Sequence, residues 1–122
     1  MQIDVYRVLS EAVAVSVHKA WRKTLGKHAF SGNGEVFGEL FLARLPGTVM
    51  KQVLGYFPLT HPYLNVRKLM LRCVTEGASA GWQRAFKHSD DPGEDWTKDR
   101  VVYSIMLEIT EYFSFPDAGE EA

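Results

Sequence analysis

Residues 2–23 read QIDVYRVLSEAVAVSVHKAWRK, and this stretch decides the fold class. It contains no Pro or Gly, and helix-forming residues predominate. Asp4, Arg7, Glu11, His18 and Arg22 recur at steps of three, four and seven, so they form one narrow polar stripe on a helix. The rest of that helix's surface, including Val5, Leu9, Ala12, Val13, Val17 and Trp21, is apolar. A helix with so wide an apolar face has to be covered by other elements.

Moving outward, Thr24 to Gly34 reads as a loop, because Ser31-Gly32-Asn33-Gly34 is turn chemistry. A second helix is expected from about Glu35 to Phe57. Pro46-Gly47 should kink it or split it in two, since Pro removes a backbone donor and clashes with the preceding turn. Pro58 closes the segment. His61-Pro62 opens a third helix, expected to reach about His88, with Arg72, Glu76, Gln83 and Lys87 as its polar stripe. Met70, Val74, Ala78, Trp82 and Phe86 lie elsewhere on it. Asp91-Pro92-Gly93-Glu94 reads as a helix start, with Asp as N-cap and Pro at the first position. The fourth helix should end near Phe113, with Trp96, Val102, Ile105, Met106, Ile109 and Phe113 as its apolar positions. No segment alternates with the period of a strand.

The first and third helices can be laid on each other. Arg7, Glu11 and Ala20 then meet Arg72, Glu76 and Ala85, while Ser10 meets Thr75 and Trp21 meets Phe86. Arg44, Met50, Tyr56 and Phe57 meet Arg100, Met106, Tyr112 and Phe113. The expected architecture is therefore all-α: an irregular four-helix bundle built from two similar helical hairpins in a pseudo-two-fold relation, an internal repeat. It forms one domain over 1–122, with hairpins at about 2–57 and 61–113 and an acidic tail at 114–122. Ala12 and Ser16 match Gly77 and Gly81, small residues four apart that let two helices approach closely. Helices one and three are expected to cross there.

The chain has 122 residues, 46% of them hydrophobic and 24% charged, which is the composition of a folded domain. One cysteine excludes a disulfide framework and a thiolate zinc cluster. No uncharged apolar run reaches the roughly 18 residues of a membrane span, and the N-terminus lacks a basic-then-apolar leader. A cytoplasmic location is the expectation. The net charge of −1 hides a polarity. Up to Ser89 there are twelve Lys or Arg against five Asp or Glu; after it there are two against ten. Two blocks of net +7 and −8 suit self-complementary contact, within one chain or between copies, or a binding surface.

The segment Gly81-Trp82-Gln83-Arg84-Ala85-Phe86-Lys87-His88-Ser89-Asp90-Asp91-Pro92, followed by Ile105-Met106-Leu107-Glu108-Ile109 and Glu111-Tyr112-Phe113, resembles small proteins encoded by tailed phages and prophages. Their pattern is a Gly-Trp-x-Arg-Ala-His-Lys-His-Thr-Asp-x-Pro core and a helix ending in Glu-x-Phe or Glu-Tyr-Phe. Phe86 stands where that pattern has His, and Ser89 where it has Thr. The resemblance covers about a third of the chain. It implies a helical hairpin and a mobile-element setting, and it carries no activity.

Catalytic chemistry is sparse. His88 beside Asp90 and Asp91 reads as a helix end followed by a helix start. Glu11 and Glu76 at matching positions suggest a carboxylate metal site, and with His88 they make a weak third reading. The spacing-four pairs Arg7–Glu11 and Arg72–Glu76 explain the same residues without a metal. Gly32, Gly34 and Gly38 lack the spacing and the preceding strand of a dinucleotide loop. Cys73 sits among Leu69, Met70 and Val74 and reads as an inert core thiol. No catalytic residue, cofactor or metal ligand is expected.

Binding is better supported. The basic helix ends, Lys19, Arg22, Lys23 and Lys27 on one side and Arg84, Lys87 and His88 on the other, are candidate nucleic-acid contacts. The aromatic-rich set supplies candidate protein anchors in Trp21, Phe37, Phe41, Tyr63, Tyr112 and Phe115. The leading expectation is a non-enzymatic accessory protein of a phage or mobile element, acting on a protein partner or on itself as a homo-oligomer. A nucleic-acid-binding module is the alternative.

Overall fold

A computed structural model describes residues 4–28, 30, 35–57, 59, 65–87 and 92–114. Four helices account for most of them: α1 (Val5–Leu25), α2 (Glu35–Tyr56), α3 (Val66–Ala85) and α4 (Glu94–Tyr112). There is no strand among the described residues. Helix α1 packs on α2 and α3 on α4, while α2 also meets α3 and α1 meets α4. The result is an all-α four-helix bundle with α1 and α3 on one diagonal and α2 and α4 on the other.

Local chemistry sets the helix ends. The Asp4 carboxylate accepts from the Arg7 backbone N–H at 3.0 Å and starts α1. Asn65 does the same for Lys68 N–H at 2.8 Å and starts α3. His61 and Pro62, where that start was expected, lie outside the described residues. Helix α4 begins at Glu94 rather than at Pro92. Its N-cap is Gly93, with a φ of 87° that glycine adopts without strain, and no side chain caps it. Thr97 Oγ1 donates back to Gly93 O at 2.7 Å. Asp91, expected as the cap, lies outside the described residues.

Helix α2 runs unbroken through Pro46, so of the two outcomes expected there, a kink or a split, the split does not occur. Its packing explains why. Phe41, Leu45, Val49 and Val53 repeat at spacing four on both sides of the proline, and all four are fully buried. Burial of that stripe, worth about 1.5–3 kcal/mol per side chain, outweighs one missing hydrogen bond.

The expected crossing of α1 and α3 is not observed. Their backbones make no close approach. Gly77 and Gly81 instead face α4, and Ser16 faces α2, the next helix of its own hairpin in each case. A Cβ on Gly77 would lie 2.5 Å from Ile105 Cα, and one on Gly81 would lie 2.6 Å from Arg100 O and Val101 Cα. In the first hairpin, buried Ser16 donates to Ala12 O at 2.8 Å and reaches Thr48 O of α2 at 3.4 Å. Consecutive helices lie side by side and can approach closely; diagonal helices in a four-membered ring are held apart by the core.

That core is aromatic at one end. Trp21, Phe37 and Phe41 pack with centroids 4.6–6.1 Å apart. Trp82 joins them from α3, 6.1 Å from Trp21. Its indole lies against Gly38, where a Cβ would come within 2.6 Å of Cζ2. Trp21, Phe37 and Phe41, expected as surface anchors, are thus core residues with at most 1% of their surface exposed. Leu9, Val13, Val49, Val53, Met70, Cys73, Met106 and Ile109 fill the rest with aliphatic and sulfur-containing side chains.

Candidate functional site

Two surfaces stand out. The first is the outer face of α4. Trp96, Arg100, Tyr103 and Leu107 follow one another at spacings of four, three and four, which puts them on one helical face. Trp96 is 51% exposed and Tyr103 50%. The Arg100 guanidinium lies 4.7 Å from the Trp96 ring and 5.0 Å from the Tyr103 ring. Its Nε is buried and reaches no hydrogen-bond acceptor. This cation therefore lies over the faces of the two rings, in the ring quadrupole field. Trp96 was expected to point inward. It does not, because Val101 and Ile105 take the buried positions beside Gly81 and Gly77 and rotate that flank of α4 outward.

The second surface is an open groove of about 720 Å³ between α1 and α2. Lys19 and Lys23 line it from α1, and Arg44 and Lys51 from α2. Gly47, Thr48, Gln52, Gly55 and Tyr56 complete it, and none of the lining residues is acidic. A Cβ on Gly47 or Gly55 would meet nothing within 4 Å. Lys19 Nζ reaches across to Gln52 Oε1 at 3.5 Å.

The candidate nucleic-acid residues are divided by this geometry. Lys19 and Lys23 enter the groove, joined by Arg44 and Lys51, which the helix-end reading missed. Arg22, Lys27 and Lys87 are exposed. Arg84 turns toward α4, donating from Nη1 to Ser104 Oγ at 2.8 Å. His88 lies outside the described residues. The groove's signal was present in sequence: Arg44, Gly47, Thr48, Lys51, Gln52 and Gly55 recur at steps of one, three and four on α2, across the expected break at Pro46. Of the aromatic candidates, Tyr112 is 51% exposed at the end of α4. Tyr63 and Phe115 lie outside the described residues.

The carboxylate reading is corrected. Arg7 Nε donates to Glu11 at 3.2 Å and Arg72 Nε to Glu76 at 3.1 Å, both on exposed faces. The two glutamates sit on diagonal helices and point outward, so they do not converge. Among the described residues no group of three or more His, Cys, Asp or Glu is placed to hold a metal ion. Burial, reinforced by nearby Glu108 and Glu76, pushes the Cys73 thiol up to about 11. At neutral pH it stays protonated and unreactive.

None of the described helices is long and apolar enough to cross a membrane. The sequence matches no family model, and no curated protein or solved structure matches it.

Proposed function

We propose that this chain is a non-enzymatic binding protein that acts through another protein or a second copy of itself, in a phage or mobile-element setting. The Trp96–Arg100–Tyr103 ladder on α4 carries this reading. Trp, Tyr and Arg are the side chains that dominate protein-interface energetics. Here the rings and guanidinium already hold one another, so little side-chain freedom remains to be lost on binding. Helix α4 is also the acidic element. It carries five Asp or Glu against two Lys or Arg, while α1 and α3 each carry four Lys or Arg against one Glu. A basic partner surface, including one on a second copy, complements it.

The mobile-element setting rests on the Gly81–Pro92 resemblance. The reading of the hairpins as an internal repeat is supported by Ser16 in one, and by its match Gly81 with Gly77 in the other, all turned toward the following helix. A single buried thiol suits a reducing compartment such as the cytoplasm. Light scattering over a range of protein concentration and salt tests the proposal. A mass that rises with concentration, and that Trp96→Ala with Tyr103→Ala abolishes, is the expected result for self-association. A chain that stays monomeric, and whose cross-linked partners in a host lysate are the same for wild type and the double variant, would sink it.

A further inference from the structure

We propose that the groove between α1 and α2 binds the backbone of a single-stranded nucleic acid, a role separate from that of the α4 face. Lys19 and Lys23 stand one helical turn apart on α1, and Arg44 and Lys51 stand two turns apart on α2, so two rows of cations face each other. Rows of this kind track a phosphate backbone. The ion pairs among the described residues fall within α1, α3 and α4, and none uses these four cations. Acidic α4 stands diagonal to α2 and makes no close backbone approach to it. Among the described residues the groove is therefore lined by cations with no acid beside them.

The glycines say what the space is for. Gly inside a helix is conformationally unfavourable. Gly77 and Gly81 have a packing reason, namely the α4 backbone against them. Gly47 and Gly55 have none, since nothing lies within 4 Å of a Cβ built on either. They leave the groove floor clear for a ligand backbone to lie close to α2. Tyr56 then decides between anionic ligands. Its ring lies at the end of the groove and is 59% exposed. An unpaired base stacks on such a ring, whereas a duplex keeps its base faces covered and a run of glutamates has no planar face to offer.

Fluorescence anisotropy of a labelled fifteen-residue oligothymidylate on the full chain, from 50 to 300 mM salt, tests this. Saturable binding is expected, with log K falling against log salt with a slope of about −2 to −3, from three or four neutralised phosphates. Arg44→Glu with Lys51→Glu should weaken it at least tenfold. Tyr56→Ala should weaken it about fivefold or more while leaving binding of a polyglutamate peptide unchanged. Gly47→Leu fills the groove and should abolish binding without lowering Tm, an outcome that misfolding does not mimic. Glu76→Gln, on the exposed face of α3, should bind as wild type, and so should Trp96→Ala, so loss of α4-mediated association leaves this result intact. Absence of binding at 50 mM salt, or persistence of binding in Arg44→Glu with Lys51→Glu, would overturn the proposal. Tighter binding of the duplex would also overturn it. Tighter binding of polyglutamate would do the same and would assign the groove to an acidic protein segment.

Discussion

In the second hairpin Gly77 and Gly81 of α3 lie against the backbone of α4, whereas in the first hairpin Gly47 and Gly55 of α2 face open space. Residue type and secondary structure are the same in both places, and only the tertiary neighbour differs. Where the neighbour is backbone, the missing side chain becomes helix–helix contact. Where there is no neighbour, it becomes a groove, and the cations of both helices line it. The first hairpin keeps a hydroxyl, Ser16, at the position that matches Gly81, and that hydroxyl spans to Thr48 O. One half of the bundle is thus closed by glycine and the other opened by it.

Substitutions at these glycines break or sharpen that contrast. The largest effect is expected at the closed pair. Gly77→Ala and Gly81→Ala each place a Cβ 2.5–2.6 Å from backbone atoms that cannot rotate away. Each should destabilise the fold by about 2–3 kcal/mol, despite the better helix propensity of Ala. Urea titration reads this directly, and a neutral result would mean that α3 and α4 stand farther apart than described. Gly38→Ala comes next. Its neighbour is the Trp82 indole rather than backbone, so the ring can shift, and a loss of about 1–2 kcal/mol is expected with a change in Trp emission. The sign should then reverse. Gly47→Ala and Gly55→Ala should each stabilise by about 0.5–1 kcal/mol, because Ala removes the entropic cost of Gly and meets nothing. A rise in Tm from these two, beside a fall from Gly77→Ala, would establish the contrast within one residue type. The smallest effect is expected at the exposed pairs. Glu11→Gln and Glu76→Gln should leave the urea midpoint unchanged within error in both hairpins, since the carboxylates stay solvated in the folded and unfolded chain.

Much of the fold was legible before any coordinates. Leu9, Ala12, Val13, Val17 and Trp21, on the apolar face that the polar stripe of α1 defines, are all buried. The pairs Arg7–Glu11 and Arg72–Glu76 form as their spacing predicts. Both are consequences of the helical period acting over a few residues. The partner of each small-residue pair was misread, because a sequence shows that a face is smooth but not which helix lies on it. Trp96 was misread for a related reason: α4 has more apolar residues than its inner face can take, and the register against Gly77 and Gly81 selects which stay in. The candidate surface shifted as well. Trp21, Phe37 and Phe41 were expected outside because a small chain has limited room for aromatics. Absence of a side chain at Gly38 makes room for the Trp82 indole, which packs on all three.

The order of residues alone determined that this chain is helical, where most helices run, which faces of α1 and α3 are wet, and that its charge is divided between a basic part and an acidic one. These properties depend on neighbours three or four positions apart, and the covalent chain holds those at a set distance. Tertiary structure decided which helices are adjacent and which diagonal, which glycines are closed and which open, and that Lys19, Lys23, Arg44 and Lys51 share one groove. Those outcomes depend on residues from separate helices, brought together by burying apolar stripes against one another. Apolar burial is non-directional, so side-chain volume and the register of packing settle what the pattern of residues leaves open.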